Sequence, residues 1–171
     1  HWDLITDLFA TSSGVRECWC MWPRRPRGMH SADRIANAAA MKELLDSGQS
    51  PGLIAVAEGR ALGWCAAGPR ATYPQYTPTT DTSVRWAVPC LYVRQTADNR
   101  SVARALIAAA VALACENGAV TVDGPPPYWL PGDTDAVAAA TRAFLENGFE
   151  NVGPGARMPE LRHRLHVLPD R

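Results

Sequence analysis

The residues best placed to do chemistry in this chain gather between Ser83 and Asp123. Ser83 to Arg94 is an apolar, strand-like run, Gln95 to Ser101 a short polar connection, Val102 to Ala119 an alanine-rich helical stretch, and Val120 to Asp123 a second strand. A loop that opens straight into a helix leaves first-turn N–H groups without intrahelical partners and so forms an anion site. Asp98 stands at that entrance. A carboxylate there is stabilised by the helix dipole and can occupy the free N–H groups in place of a ligand. Within the strand, Cys90 could serve as a nucleophile if its pKa were lowered, whereas a cysteine in an apolar run more commonly packs. Glu17 and Asp123, near strand ends, are candidate general bases; an exposed or hydrogen-bonded carboxylate is the plainer reading of each.

Other chemistries find less support. Lys and Arg balance Asp and Glu at 17 each, which lacks the basic surplus of a nucleic-acid binder. Cys18-x-Cys20 has no second ligand pair at zinc-finger spacing, and His163 with His166 does not supply one, so no metal is expected. The cysteines at 18, 20, 65, 90 and 115 are odd in number and mostly lie in apolar runs, the pattern of buried, reduced thiols in a cytoplasmic protein. No run is long and apolar enough to span a membrane.

The elements that must hold these residues follow from periodicity. Trp2 to Ala10 reads as an amphipathic helix, Cys18 to Trp22 as a strand, and Pro23 to His30 as a basic, proline-rich loop. Ser31 is the expected cap of a helix running to Leu45. Pro51 to Ala57 and Ala61 to Ala67 form a hairpin about Glu58-Gly59-Arg60, and Arg70 to Thr82 is irregular. After Asp123 come a loop (124 to 132), a helix from Asp133 to Asn147 closed by Gly148, and strands at 149–152 and 161–167. At 171 residues one domain over 1–171 is expected, an α/β (α+β) mixed sheet with helices on both faces and a right-handed parallel crossover at its centre. Pro89 removes a ladder donor from a strand that must be central. It therefore predicts a bulge, and a strand splayed from its parallel neighbour to open a crevice.

From Trp2 to Leu165 the chain resembles the GNAT superfamily of N-acetyltransferases. The resemblance is carried by Pro51-Gly52-Leu53-Ile54-Ala55, Ala61-Leu62-Gly63-Trp64-Cys65 and Phe144-Leu145-Glu146-Asn147-Gly148-Phe149. It looks most similar to a bacterial branch with a Cys-Trp-Cys-Met signature, here Cys18 to Met21 after Asp7-Leu8-Phe9. The family's leading strand is missing before the first helix, which is read as a truncated start.

The resemblance implies acetyl-CoA as co-substrate and a small-molecule amine as acceptor, attacked directly, with homodimers frequent and no nucleic-acid or membrane partner. By position the pantetheine arm would bond to the backbone of Leu91, Tyr92 and Val93, and the pyrophosphate would lie on Asp98-Asn99-Arg100-Ser101-Val102-Ala103. Two residues depart from the family pattern: Asp98 replaces a cation or amide, and Ser101 replaces the central glycine. Arg100 and Arg104 could offset the added negative charge. The family's leaving-group acid, a tyrosine, corresponds to Phe144, so that role is vacant or falls to water or another group, Tyr92, Tyr128 and Cys90 being nearby in topology, with Glu17 or Asp123 as base. Trp22, Tyr73, Trp86, Tyr128 and Trp129 are the expected acceptor wall, with Trp19 and Trp64 expected in the core. The departures at Asp98, Ser101 and Phe144 also support a second reading. In it, the GNAT-like chain has lost transfer chemistry and serves as a ligand-binding, sensor or scaffold module.

Overall fold

Helices cover both faces of one sheet because each face of the strands is apolar. The computed structural model describes residues 1–11, 13–26, 33–95, 98–126, 134–153 and 160–165. Helix α1 (Trp2–Phe9) turns Ile5, Leu8 and Phe9 inward, as their three-to-four spacing requires. A short α2 (Ser13–Cys18) and a 3₁₀ turn at Trp22–Arg24 follow. Helix α3 (Arg34–Asp46) starts at Asp33, whose carboxylate accepts the Ala36 N–H at 3.0 Å. Ser31, the expected cap, and Asp133, that of the last helix, lie outside the described residues.

Strands β1 (Gly52–Ala57) and β2 (Arg60–Pro69) form the expected hairpin. Glu58 and Gly59 have φ of 51° and 73°, the left-handed pair that suits a two-residue turn between twisted strands. Strand β3 (Arg85–Val93), helix α4 (Asn99–Glu116) and strand β4 (Thr121–Asp123) make the parallel crossover. Helix α5 (Thr134–Glu146), β5 (Glu150–Asn151) and β6 (Leu161–Arg164) complete a sheet of order β1-β2-β3-β4-β6-β5.

The α4–α5 face buries Trp86, Val88, Leu106, Ile107, Val122 and Phe144; the α1–α3 face buries Ile5, Phe9, Trp19, Met41, Trp64 and Cys90. Helix α4 comes close to the sheet because Gly63 lies beneath it. A Cβ there would stand 2.9 Å from Leu106 Cδ1 and 3.1 Å from Val102 Cγ1.

The bulge expected at Pro89 is present. Ala66 pairs with Cys90 and Gly68 with Ala87, so Val88 and Pro89 together face Ala67. The parallel pairing of β3 with β4 covers only Arg85 to Ala87, and β3 runs on to Val93 beyond it. The two strands thus part at the level of Ala87 and Asp123.

Two expectations need correction. Cys18 to Trp22 is no strand: α2 ends at Cys18, and Trp19 and Cys20 both take φ of 49°. Every residue from Trp19 to Pro23 is buried, and a pleated strand, whose side chains alternate between faces, cannot bury five in succession on one side. The cysteines are also not uniformly buried and reduced. Cys20 and Cys90 form a disulfide with a Cα–Cα distance of 6.4 Å, and Cys115 is exposed. Among the described residues no helix is long and apolar enough to cross a membrane.

Candidate active site

The splayed edge of β3 is built by ladder alternation. The Arg94 N–H donates to the Leu62 carbonyl at 2.8 Å, and alternation then directs the polar groups of Tyr92 and Cys90 to β2 as well. Those of Leu91 and Val93 face the opposite way, towards the gap left by β4. Of the three expected backbone contacts, Leu91 and Val93 therefore face the crevice, whereas the backbone of Tyr92 is committed to the ladder.

The helix that follows presents its N-terminus at the same end. Asp98 is its exposed N-cap residue, yet its carboxylate makes no capping hydrogen bond; the Val102 N–H reaches the Asp98 carbonyl at 3.3 Å. The expected occupation of the first-turn donors by Asp98 does not occur. Asn99 Nδ2 donates to Gln95 Oε1 at 3.4 Å, and Ser101 is exposed. Val102 and Ala103 pack into the core below.

The cations of this turn are already engaged. Arg100 is hydrogen-bonded and ion-paired to Glu146 of α5, and Arg104 Nε lies 3.7 Å from the same carboxylate. Hydrogen bonding from Arg100 holds the Glu146 carboxyl below its usual range, and the same bond raises Arg100. The neighbouring Phe144 is fully buried and meets Phe149 edge-on with centroids 5.0 Å apart, so it contributes to the core alone.

Tyr92 projects to the α1 side, where its hydroxyl lies 2.7 Å from Thr11 Oγ1. Thr11 spends its own proton on the Leu8 carbonyl at 2.6 Å, so Tyr92 must be the donor of the pair. Cys90 is disulfide-bonded and carries no free thiol to attack with. Glu17 is exposed at the end of α2, and its backbone carbonyl accepts from Asn37 Nδ2 at 2.8 Å.

The expected acceptor wall divides. Trp86 belongs to the α4–α5 core and cannot face a pocket on the other side of the sheet. Trp22 is buried beside the turn it opens, its carbonyl 3.5 Å from Gln75 Nε2. Tyr73 is buried too, with its hydroxyl 3.2 Å from Arg24 Nη2; burial pushes that phenol up to about 12, against the opposing pull of Arg24. Tyr128 and Trp129 lie outside the described residues. A hollow of about 310 Å³ opens elsewhere, between α1, α2 and α3, over Ala10, Trp19 and Ala38.

Sequence reasoning missed a charged cluster around Asp123. The carboxylate is 4% exposed and accepts from Arg70 Nε at 2.7 Å, Arg85 Nη2 at 2.9 Å and Arg162 Nε at 2.7 Å. With both oxygens held by guanidinium groups it is not free to deprotonate an acceptor. The arginines come from the turn that follows β2, from β3 and from β6. Nothing in their spacing announces the meeting, because only the sheet order brings β6 beside β4.

Solved structures share this architecture. The fold is that of the GNAT acetyltransferases. The ribosomal-protein-alanine N-acetyltransferase of Brucella melitensis is 18% identical, covers 96% of each chain and has a TM-score of 0.56. A GNAT-family acetyltransferase from Desulfovibrio desulfuricans is 16% identical over 80% of this chain and 84% of that one, with a TM-score of 0.55. An aminoglycoside acetyltransferase of type 6'-Ib, in complex with coenzyme A, is 15% identical over 95% and 88%, with a TM-score of 0.59. No family model and no curated protein matches the sequence. The splayed β3–β4 pair and the N-terminus of α4 thus belong to a GNAT fold.

Proposed function

We propose that this chain, read as one domain over 1–171, is an acyl-CoA-dependent N-acetyltransferase of the bacterial Cys-Trp-Cys-Met branch that acts on a small-molecule amine. The observation that carries the reading is the juxtaposition of two donor sets: outward backbone groups of Leu91 and Val93, and an α4 N-terminus not occupied by its own Asp98 carboxylate. The first suits an extended pantetheine arm added as a strand, and the second suits a pyrophosphate.

In the reaction the amine, having lost a proton, attacks the thioester carbonyl. The C–N bond forms as the C–S bond breaks, and the thiolate leaves and takes a proton. The Leu91 N–H is the donor nearest the bulge and would stabilise the oxyanion. Phe144 cannot supply the leaving-group proton, the Tyr92 proton is directed at Thr11 and Cys90 is disulfide-bonded, which leaves Tyr128 or water as the donor. The test is release of free thiol from acetyl-CoA with a panel of small primary amines; turnover supports the reading, and none with any amine counts against it.

A second reading, a GNAT fold without transfer chemistry, is favoured by one observation: Arg100 and Arg104 are spent on Glu146 rather than left for phosphate. The double variant Asp98→Arg, Ser101→Gly separates the two. A gain of about 100-fold in cofactor affinity, near the scale of two added charge-assisted bonds, would show a native loop turned away from pyrophosphate. Native affinity already in the micromolar range removes this second reading.

A further inference from the structure

The end of β4 carries charges that the transfer chemistry above leaves unused. Arg70, Arg85 and Arg162 surround the single buried carboxylate of Asp123. Two outer acids approach, Asp81 to 3.6 Å from Arg85 and Glu160 to 3.6 Å from Arg162, but both are about half exposed, where water and salt screen them. The inner group therefore holds two more cations than anions.

Their donors are not exhausted either. A guanidinium offers five N–H groups. Arg85 Nε is buried with no partner among the described residues. Arg70 bonds Asp123 through Nε and the Thr77 carbonyl through Nη2, and it lies over the Tyr76 ring at 5.0 Å from the centroid. A buried donor without an acceptor is costly, and a small shift of the Arg85 side chain that brought Nε to a ligand oxygen would remove that cost. The arginine side chains are 11–22% exposed, which leaves a narrow approach.

The cluster stands where the sheet opens. Asp123 pairs with Ala87 at the last rung before β3 and β4 part. Its neighbour Val122 faces the α4–α5 core, so alternation places Asp123 on the opposite face. Ligands of open α/β sheets bind at the carboxyl ends of strands where the sheet opens.

We infer that this cluster is the anion subsite of the acceptor pocket: the acceptor is an amine that carries its own oxyanion, a carboxylate or a phosphate ester, received by Arg70, Arg85 and Arg162. The inference rests on the acyltransferase reading and adds the acceptor class to it. A polyamine would meet the same charges with the wrong sign.

Two measurements test it: calorimetric binding without cofactor, and thiol release with acetyl-CoA. The probes are 4-aminobutyrate, phosphoethanolamine and the uncharged comparator 4-aminobutanamide. An anionic probe is expected to bind about 10-fold or more tightly than the amide, the scale of one charge-assisted hydrogen bond. Whichever anion binds better assigns carboxylate or phosphate. Arg162→Gln, at the most exposed of the three arginines, is expected to abolish that preference, and Arg162→Lys to restore part of it. Circular dichroism confirms that each variant is folded. Selective binding without thiol release retains the anion subsite and removes the transferase reading. Equal affinity for acid and amide, no binding of either anion, or a preference unchanged in folded Arg162→Gln overturns the subsite, and thiol release judges the transferase separately.

Discussion

Tyr73 ties a buried phenol to a measurable pH response. Its proton is held to about pH 12 in the folded chain, whereas an unfolded tyrosine loses it near 10. The folded-state value is raised, so its contribution is complete below pH 10 and is lost as pH rises towards 12. Stability should fall by about 2–3 kcal/mol over that window, read as urea midpoints at successive pH values, and Tyr73→Phe should flatten the fall. Tyr92 is the contrasting case. With its proton directed at Thr11, Tyr92→Phe should change kcat by less than about 3-fold, whereas loss of a true general acid costs about 10² to 10⁴. A drop of that larger size in steady-state thiol release would reinstate Tyr92 as the acid. At this scale the sequence was a partial guide. Residue types named plausible chemistry, but Cys90 proved cross-linked, Trp86 proved to be core, and Asp98 left its helix uncapped. Each depends on a neighbour distant in the chain, or on a loop angle, that spacing does not encode.

At the scale of elements the hairpin, the parallel crossover and the Pro89 bulge were legible, because each has a local cause: a left-handed Glu58-Gly59 pair, an alanine-rich helical run, a proline without a donor. The misread strand at Cys18 to Trp22 shows the limit. Its large side chains alternate in size but not in burial, and a tertiary pocket overrode the pattern. The close seat of α4 on β2 gives a direct test. Gly63→Ala sets a Cβ 2.9 Å from Leu106 Cδ1 and 3.1 Å from the Tyr92 carbonyl oxygen, a contact that backbone cannot relieve cheaply. The substitution should destabilise by about 1–3 kcal/mol, measured by chemical denaturation, and on the proposed function it should also weaken acetyl-CoA binding, because the N-terminus of α4 moves with the helix.

For the whole molecule, the disulfide joins the turn after α2 to the bulged strand across a sequence separation of 70 residues. Closing a loop of that length in the unfolded chain is worth about 4 kcal/mol in the chain-entropy account. Reduction, or Cys20→Ala with Cys90→Ala, should therefore lower the denaturation midpoint markedly; an unchanged midpoint would mean that the link is absent in solution. The pairing was hidden in the sequence because five cysteines fix no connectivity. The overall α/β arrangement was visible because both faces of the strands are apolar, and solved GNAT structures share it. The crevice between β3 and β4 is the feature on which the functional reading depends. Calorimetry of the intact protein with acetyl-CoA measures it most directly. The expected result is saturable binding, weakened when Leu91→Pro removes the outward N–H, with circular dichroism confirming that the variant is folded. No heat of binding at millimolar cofactor, with the protein shown to be folded, contradicts the acyl-CoA site.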